Sequence, residues 1–262
     1  MVFNVRDTHV GRSLDLYGEW VESELDLLGP WLAPGDVVID AGANVGNHTV
    51  FFAGRVGPDG RVYAFEPQRR VFQMLCANLA LNGVTNVEAV QAAVGTGLGE
   101  VAIPDVDYTA PGNFGGVRLA CGAGRQVPVR SLDSLGLARC AAIKIDVEGM
   151  ELDVIDGASD LIARTRPLLY VENNDRAKSG ALIRRIAGFG YQLFWHFSRY
   201  YNPNNFFAER QNAFGGLADA NMICVHQDRA RRLPDTLAPV AGPDDHAEAA
   251  LRRRELAERG AP

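Results

Sequence analysis

The sequence predicts an α/β fold with a mostly parallel sheet and helices on both faces. Short, almost wholly apolar runs alternate along the chain with longer amphipathic patterns of helical period. Strands that are apolar on both faces are typical of a parallel sheet covered by helices. Two late apolar runs, residues 191–196 and 222–226, are separated by a long polar segment. They predict an antiparallel hairpin at the end of the sheet.

The predicted strands and helices alternate in chain order. Glycine and charged residues bound the strands, as the pair Gly35-Asp36 does before the first one. Parallel strands are predicted at residues 37–40, 61–66, 87–94, 141–146 and 168–172. Helices are predicted at residues 68–81, 151–162 and 178–189. These helices supply the crossovers that parallel strands require.

The chain divides into three segments. Residues 1–34 predict a helical lead-in, and residues 35–228 hold the α/β pattern. Within that domain, residues 95–130 are rich in glycine and lack a helical stripe, so short strands and loops are expected there. Residues 229–262 carry clustered arginines and predict a mobile charged tail with one solvated helix at 247–258.

Charge and composition exclude several classes of protein. The 262 residues include 26 basic and 32 acidic side chains, so the net charge is −6. Clustered basic side chains supply binding to nucleic acid or to an anionic membrane, so neither partner is expected. No run approaches the roughly 20 apolar residues that cross a bilayer, and no signal peptide is recognised. We therefore expect a cytoplasmic protein. Its four cysteines lack the spacing of a zinc or dithiol site.

The most informative stretch is VVIDAGANVGNHT, residues 37–49. A buried strand ends at Asp40, turns on Gly42 and enters a helix whose free N–H groups face the ligand-binding edge of the sheet. Gly46 lets the helix pack against the strand. Glu66 ends the next strand, where an acid can accept both hydroxyls of a ribose.

This turn differs from the fingerprint of a dinucleotide site. Asp40 precedes the first glycine and Asn44 stands in the place of the second, and a carboxylate there would repel a pyrophosphate. The same carboxylate would attract the ammonium group of S-adenosylmethionine, directly or through water. The pattern D-x-G-x-N-x-G followed by Glu66-Pro67 therefore resembles the cofactor site of class I methyltransferases. An NAD-dependent oxidoreductase is the less favoured alternative.

A second motif, KIDVEGME at residues 144–151, also ends a strand in acid and turns on glycine. The segment SLDSL lies just upstream, at residues 131–135. With the first motif, these residues resemble the FkbM family of S-adenosylmethionine-dependent methyltransferases over about residues 15–226. The resemblance implies a seven-stranded Rossmann-like fold, mostly parallel, in which residues 35–228 form the methyltransferase domain. It also implies O-methylation of a hydroxyl on a sugar, polyketide or other natural-product metabolite.

The expected cofactor contacts come from the glycine turn, the following strand end and the neighbouring strands. They are Asp40, Gly42, Asn44, Gly46, Asn47, His48, Thr49, Glu66, Pro67, Gln68, Ala93 and Asp146. A small-molecule hydroxyl acceptor is the expected partner. An N-methyltransferase on a small amine and a non-catalytic cofactor-binding scaffold are the other hypotheses. The oligomeric state is left open, and a homodimer is compatible with the sequence.

Two further predictions concern the chemistry at this edge. Asp146 ends one strand and Glu172-Asn173 ends the next, so their oxygens are candidate ligands for Mg²⁺ or another divalent cation. The candidate catalytic residues are His196, Lys144 and Asp146. One of them would deprotonate the acceptor hydroxyl, and each histidine or lysine has an equally simple structural role as a hydrogen-bonded or ion-paired group.

Overall fold

The computed structural model describes residues 1–97, 99–118, 124–229, 233–234 and 237–259, with side chains described up to residue 253. Its strands in chain order are β1 Val37–Ala41, β2 Arg61–Phe65, β3 Val87–Val90, β4 Ala93–Val94, β5 Gly99–Ile103, β6 Arg125–Arg130, β7 Ala142–Ile145, β8 Leu168–Glu172, β9 Tyr191–Arg199, β10 Ala218–His226 and β11 Ala238–Pro239. Its helices are α1 Val10–Tyr17, α2 Glu22–Leu28, α3 Asn47–Val56, α4 Arg69–Leu81, α5 Glu151–Asp156, α6 Ser159–Thr165, α7 Arg176–Ala187 and α8 Ala247–Arg259. None of these helices is long and apolar enough to cross a membrane.

The main sheet confirms the predicted fold class. Its strand order is β11-β9-β10-β8-β7-β1-β2-β3. Five neighbouring strands, β3, β2, β1, β7 and β8, are parallel, whereas β10 is antiparallel to both β8 and β9. Seven strands match the predicted number, and the short β11 adds an eighth at the edge. The strand order reverses beside β1, which is where an open α/β sheet binds its ligands.

Helices cover the sheet on both faces, and the core has a cluster on each side. One cluster joins Ile39, Ile143 and Val171 of the sheet to α5, α6 and α7. The other joins Val38 and Tyr170 to residues of α2 and α3. Adjacent strand residues thus alternate between two buried faces, which is why the strands read as continuous apolar runs.

Two predicted elements are divided in the structure. The strand predicted at 87–94 becomes β3 and β4, because Ala92 N–H turns back to the carbonyl oxygen of Val90, 3.0 Å away. β4 then joins β5 and β6 in a separate three-stranded sheet. The helix predicted at 151–162 becomes α5 and α6. It breaks at Gly157, where an added Cβ would lie 1.9 Å from the carbonyl oxygen of Gly95.

The tail differs from the mobile extension that the sequence predicts. β11 pairs with β9, and Ala250 on α8 is fully buried. Asp245 accepts a hydrogen bond from Trp195 Nε1 at 3.0 Å and forms an ion pair with Arg253 at 2.6 Å. Composition does not predict these contacts, because a charged helix that docks through one ion pair has the same residue pattern as a solvated helix.

Candidate active site

A cleft lies at the carboxyl ends of β1, β2, β7 and β8 and has two parts. One part, here called the apolar lobe, is lined by Phe65, Pro67, Ala92, Val94, Val117 and Met150 among others. The second part, the acidic lobe, is lined by six carboxylates, those of Glu24, Glu66, Asp146, Glu148, Glu172 and Asp219. Gly42, Glu66 and Asp146 line both lobes, so the two parts form one continuous site.

The two glycines of the turn pack too closely for a side chain, and Gly42 lines the cleft whereas Gly46, a predicted cofactor contact, does not. Gly42 has φ +83°, and an added Cβ would lie 1.7 Å from the carbonyl oxygen of Asp146. Gly46 has φ +92°, and its Cβ would meet Leu75 of α4 at 2.6 Å. Asn44 is also left-handed, with φ +49°, and lines the acidic lobe. Close contacts therefore require glycine at positions 42 and 46, and Asn44 between them adopts the left-handed conformation.

Glu66 holds the junction between the lobes. Its carboxylate accepts hydrogen bonds from Asn44 N–H at 3.1 Å and from Gln68 N–H at 2.8 Å. Burial raises the pKa of Glu66 to about 7, although both backbone donors act in the opposite direction. The two backbone donors fix the Glu66 side chain where it lines both lobes of the cleft.

Asp40 does not reach the cleft, which corrects its predicted contact with the cofactor. Its side chain is fully buried, accepts a hydrogen bond from Thr49 Oγ1 at 2.6 Å, and lies 3.6 Å from Lys144 Nζ. Thr49 is buried with it and also makes no contact with the cleft. Both residues are positioning residues beneath the turn.

Lys144 links this buried layer to the cleft. Its ammonium donates to Gly42 O at 3.1 Å and to Asp146 Oδ2 at 3.2 Å. Burial alone would lower the pKa of Lys144, but the carboxylates of Asp146 and Asp40 raise it above its ordinary value. The raised pKa favours the ammonium form of Lys144, which does not favour its predicted role as a catalytic base. Asp146 itself is 43% exposed and lines both lobes.

His48 and Asn47 lie behind the acidic lobe. His48 Nε2 pairs with Glu24 Oε2 at 2.9 Å, and its Nδ1 lies 2.9 Å from Asn47 Nδ2. Neither residue lines the cleft, so their positions do not favour the predicted cofactor contacts. Glu24 does line it, and its other oxygen accepts from Ser198 Oγ at 2.6 Å and from Asn221 Nδ2 at 3.1 Å.

The remaining predicted cofactor residues lie along the apolar lobe. Pro67, Gln68 and Ala93 all line it. Gln68 is buried, donates to the carbonyl oxygen of Phe114 at 2.8 Å and accepts from Tyr108 Oη at 2.9 Å. This pairing ties the loop after β5 to the start of α4 and closes one side of the lobe.

Three carboxylates converge in the acidic lobe. One oxygen each from Asp146, Glu148 and Glu172 lies within 4.8 Å of the others. Burial and the neighbouring Asp146 carboxylate raise the pKa of Glu148 to about 8 and raise that of Glu172 well above its usual range. Asn173 lines neither lobe, so its position does not favour its predicted role as a ligand. It is buried, and its amide donates to Ser179 Oγ at 3.0 Å.

A further acid beside Glu172 is not indicated by the sequence: Asn174 Nδ2 donates to both Glu172 Oε1, at 2.7 Å, and Asp219 Oδ1, at 3.2 Å. Asp219 on β10 accepts a hydrogen bond from Tyr200 Oη at 2.7 Å, and burial raises the pKa of Asp219 to about 7. Trp20 lies against Tyr200 with ring centroids 4.7 Å apart, and both rings line the lobe. No local pattern marks Asp219 or Glu24, because each reaches the site only through pairing of distant segments. Glu148 lies in the KIDVEG motif and was available to the same reasoning as Asp146.

His196 is not in the cleft, so its predicted role as the base is not supported by its position. It lies within β9 opposite Asn221, and its Nδ1 is 2.7 Å from Tyr170 Oη. Neither lobe is lined by it. The strand runs three residues further than expected, so His196 is not at the rim.

Comparison with known proteins identifies a family and several relatives. Residues 40–193 match the family model described as the methyltransferase FkbM domain. Methyltransferase sdnD of Sordaria araneosa is 28% identical over 158 residues, which cover 47% of this chain and 60% of the relative. Methyltransferase 1 of Beauveria bassiana (strain ARSEF 2860) is 28% identical over 147 residues, which cover 47% and 58%. The chain thus spans about three fifths of the length of the curated relatives it matches.

Two solved structures with similar folds complete the comparison. The methyltransferase FkbM of Methylobacillus flagellatus KT has a TM-score of 0.48 at 18% identity, covering 72% of this chain and 43% of that one. The O-methyltransferase TomG of Streptomyces achromogenes, involved in tomaymycin synthesis and solved with S-adenosylmethionine, has a TM-score of 0.46 at 14% identity. The match covers 79% of this chain and 78% of TomG.

Proposed function

Since this chain belongs to the methyltransferase FkbM domain family, we propose that it transfers the methyl group of S-adenosylmethionine to a hydroxyl oxygen of a polar small molecule. The observation that carries the proposal is the continuity of the two lobes through Glu66 and Asp146. An apolar lobe suits a flat base, and a carboxylate at its inner end suits a ribose. The acidic lobe beyond it suits a cationic sulfonium.

The residues of the cleft fit this cofactor. Glu66 offers acceptor oxygens for ribose hydroxyls, and Gly42 leaves room for close approach at the turn. Lys144 holds the Asp146 carboxylate and the Gly42 carbonyl in fixed positions, so both can accept from an ammonium group. When bound, S-adenosylmethionine supplies an activated methyl group. The chain supplies orientation and a dry, acidic environment.

The acceptor hydroxyl needs a group that takes its proton. Glu148 and Glu172 line the acidic lobe, and a raised pKa makes the ionised form of either carboxylate a stronger base that can take this proton. Tyr200, Asp219 and Asn221 line the same lobe and offer hydrogen-bonding groups for further hydroxyls. This polar lining supports a substrate rich in hydroxyl groups.

Mass spectrometry for S-adenosylhomocysteine, with a panel of hydroxyl and amine acceptors, tests the proposal. The wild-type protein should form this product with a hydroxyl acceptor. Glu172→Gln should lower turnover by roughly 10²-fold or more, whereas Glu100→Gln, on the exposed edge of β5, should not. Methylation of amines alone would support the N-methyltransferase hypothesis. Cofactor binding without product from any acceptor would support the scaffold, and preferential NADH binding would support an oxidoreductase.

We also propose that Asp146, Glu148 and Glu172 hold a divalent cation. Their three convergent oxygens are the hard ligands that Mg²⁺ and Ca²⁺ prefer. Such a cation would lower the pKa of a bound hydroxyl. Calorimetric titration with Mg²⁺, Mn²⁺ and Ca²⁺ should then show binding that Glu172→Gln abolishes. Absence of binding, with turnover unchanged by EDTA, contradicts the cation and leaves proton transfer to the carboxylates alone.

A further inference from the structure

A second groove runs along α4, and among the described residues it shares only Gln68 with the cleft. We call it the α4 groove. Its basic end, about 480 Å³, is lined by Arg69, Arg70 and Arg125, and its apolar end, about 530 Å³, by Val2, Phe3 and Met74 among others. Arg70, Gln73 and Tyr108 line both ends, so the groove is continuous. Nothing in methyl transfer uses it.

The basic end carries positive charge that no neighbouring carboxylate neutralises. Throughout the described part of the chain, the ion pairs leave Arg69, Arg70 and Arg125 without a partner. Asp105 is the acid that lines this end, and it is exposed. Against the one carboxylate of Asp105, the three exposed arginines give the described lining of this end a surplus of positive charge. Guanidinium groups of this kind recognise phosphate and carboxylate through paired hydrogen bonds.

The start of α4 adds to this positive field. The helix is 13 residues long, begins at Arg69, has no acidic residue in its first turn and no side-chain cap. Its first N–H groups and its dipole favour an anion at this end, where two arginines instead oppose the dipole. A bound anion would satisfy the N–H groups and neutralise both arginines.

The apolar end of the groove carries exposed aliphatic side chains. Val5 is 78% exposed and Val2 is 42% exposed, although both lie beside the apolar side chains of Phe3 and Met74. Exposed aliphatic side chains next to a basic cavity are complementary to one molecule with an anionic head and an aliphatic chain. The chain would cover the apolar residues while the head lies among the arginines.

We propose that the α4 groove binds a soluble phosphate monoester that carries an aliphatic chain. The phosphate lies among Arg69, Arg70 and Arg125 at the start of α4, and the aliphatic chain runs along Met74 towards Val5. Binding involves no covalent step and does not depend on methyl transfer. The ligand is therefore distinct from the methyl donor.

Calorimetric titration of the full chain with hexyl phosphate, inorganic phosphate and hexyltrimethylammonium tests this site. Hexyl phosphate should bind at one site per chain, about tenfold more tightly than inorganic phosphate, and hexyltrimethylammonium should not bind. The double variant Arg69→Ala/Arg70→Ala should weaken hexyl phosphate binding by about tenfold or more. Arg61→Ala is the matched control, because Arg61 is an exposed arginine outside the groove.

A second variant separates the two ends. Val5→Asp lies at an exposed position, so it should fold normally. It should weaken hexyl phosphate binding while inorganic phosphate binding changes much less, because only the ester has a chain at that end. Equal affinities for hexyl phosphate and inorganic phosphate, or unchanged affinity in the double arginine variant, would overturn the proposal. Titration with S-adenosylhomocysteine measures binding in the cleft independently, so loss of binding at one site can be told apart from loss at the other.

Discussion

At the scale of single residues, the buried layer under the cleft is held by one cation between two carboxylates. Lys144 Nζ lies 3.2 Å from Asp146 Oδ2 and 3.6 Å from Asp40 Oδ1, and Asp40 Oδ1 makes no hydrogen bond of its own. Asp40 thus depends on Lys144 for compensation of its buried charge. The ammonium at the same time fixes the Gly42 carbonyl in the cleft.

Lys144→Met should therefore act mainly on stability. Removing the cation leaves Asp40 buried and unpaired, which should lower the free energy of unfolding by about 3–5 kcal/mol. Urea denaturation measures this, and Asp40→Asn in the same chain should restore part of the loss. Lys178→Met, on a lysine that donates to the carbonyl oxygen of Gly149, is the control. Normal stability of Lys144→Met with loss of turnover would instead identify the lysine as catalytic.

Glu66 should make stability depend on pH in a defined window. Its pKa is about 7 in the folded chain and near 4.5 when exposed, so the folded state binds more protons between these values. The free energy of unfolding should then fall as pH rises from about 4.5 to about 7. Urea denaturation across this range should show a smaller fall for Glu66→Gln. A wild-type slope in Glu66→Gln, or an equal effect of Glu88→Gln on the exposed side of β3, would contradict this.

At the scale of elements, the turn after β1 packs closely against the residue that follows β7. The contact is between Gly42 and the carbonyl oxygen of Asp146. Gly42→Ala would place a Cβ 1.7 Å from Asp146 O and force β1 and β7 apart. Gly35→Ala is a matched control, because Gly35 also has a positive φ, +87°, but its Cβ would meet nothing within 4 Å. Both variants share the backbone strain, and only Gly42→Ala has the clash.

Thermal unfolding and cofactor titration compare the two glycine variants. Gly42→Ala should lose cofactor binding and unfold at a lower temperature than Gly35→Ala, which should bind normally after a loss of about 1 kcal/mol. Equal behaviour of the two would show that the close approach to Asp146 does not matter.

Elements with local signals were predictable from sequence, and elements made by distant pairing were not. The run of apolar residues was sufficient for β1, β7 and β8, because each is buried on both faces. The glycine turn pointed to Gly42, Asn44 and Glu66, and all three line the cleft. Glu24 and Asp219 enter the cleft through packing of α2 and β10, which no local pattern records. The direction of Asp40 and Asn173 was wrong because strand-end position does not fix which face a side chain occupies.

At the scale of the whole molecule, the C-terminal segment closes one edge of the sheet. Asp245→Ala would leave Trp195 Nε1 and Ala241 N–H without their acceptor and would free Arg253. We expect a loss of about 1–3 kcal/mol in the free energy of unfolding, measured by urea denaturation. Asp244→Ala, one residue earlier and exposed, should be close to neutral. Identical effects of the two substitutions would contradict the docking of α8.

Charge is distributed unevenly over the molecule. Six carboxylates line the acidic lobe, whereas three unpaired arginines line the α4 groove on the other side of Gln68. The net charge of −6 conceals this separation. The cleft is thus suited to cationic groups and the groove to anionic ones.

Calorimetric titration of the wild-type chain and of Glu66→Ala with S-adenosylhomocysteine tests the central claim most directly. The wild-type protein should bind one molecule per chain. Glu66→Ala should bind about tenfold to a hundredfold more weakly, because ribose hydroxyls lose their acceptor in a buried site. Absence of binding to the wild-type chain, or equal affinity of the two proteins, would contradict the assignment of this cleft to the methyl donor.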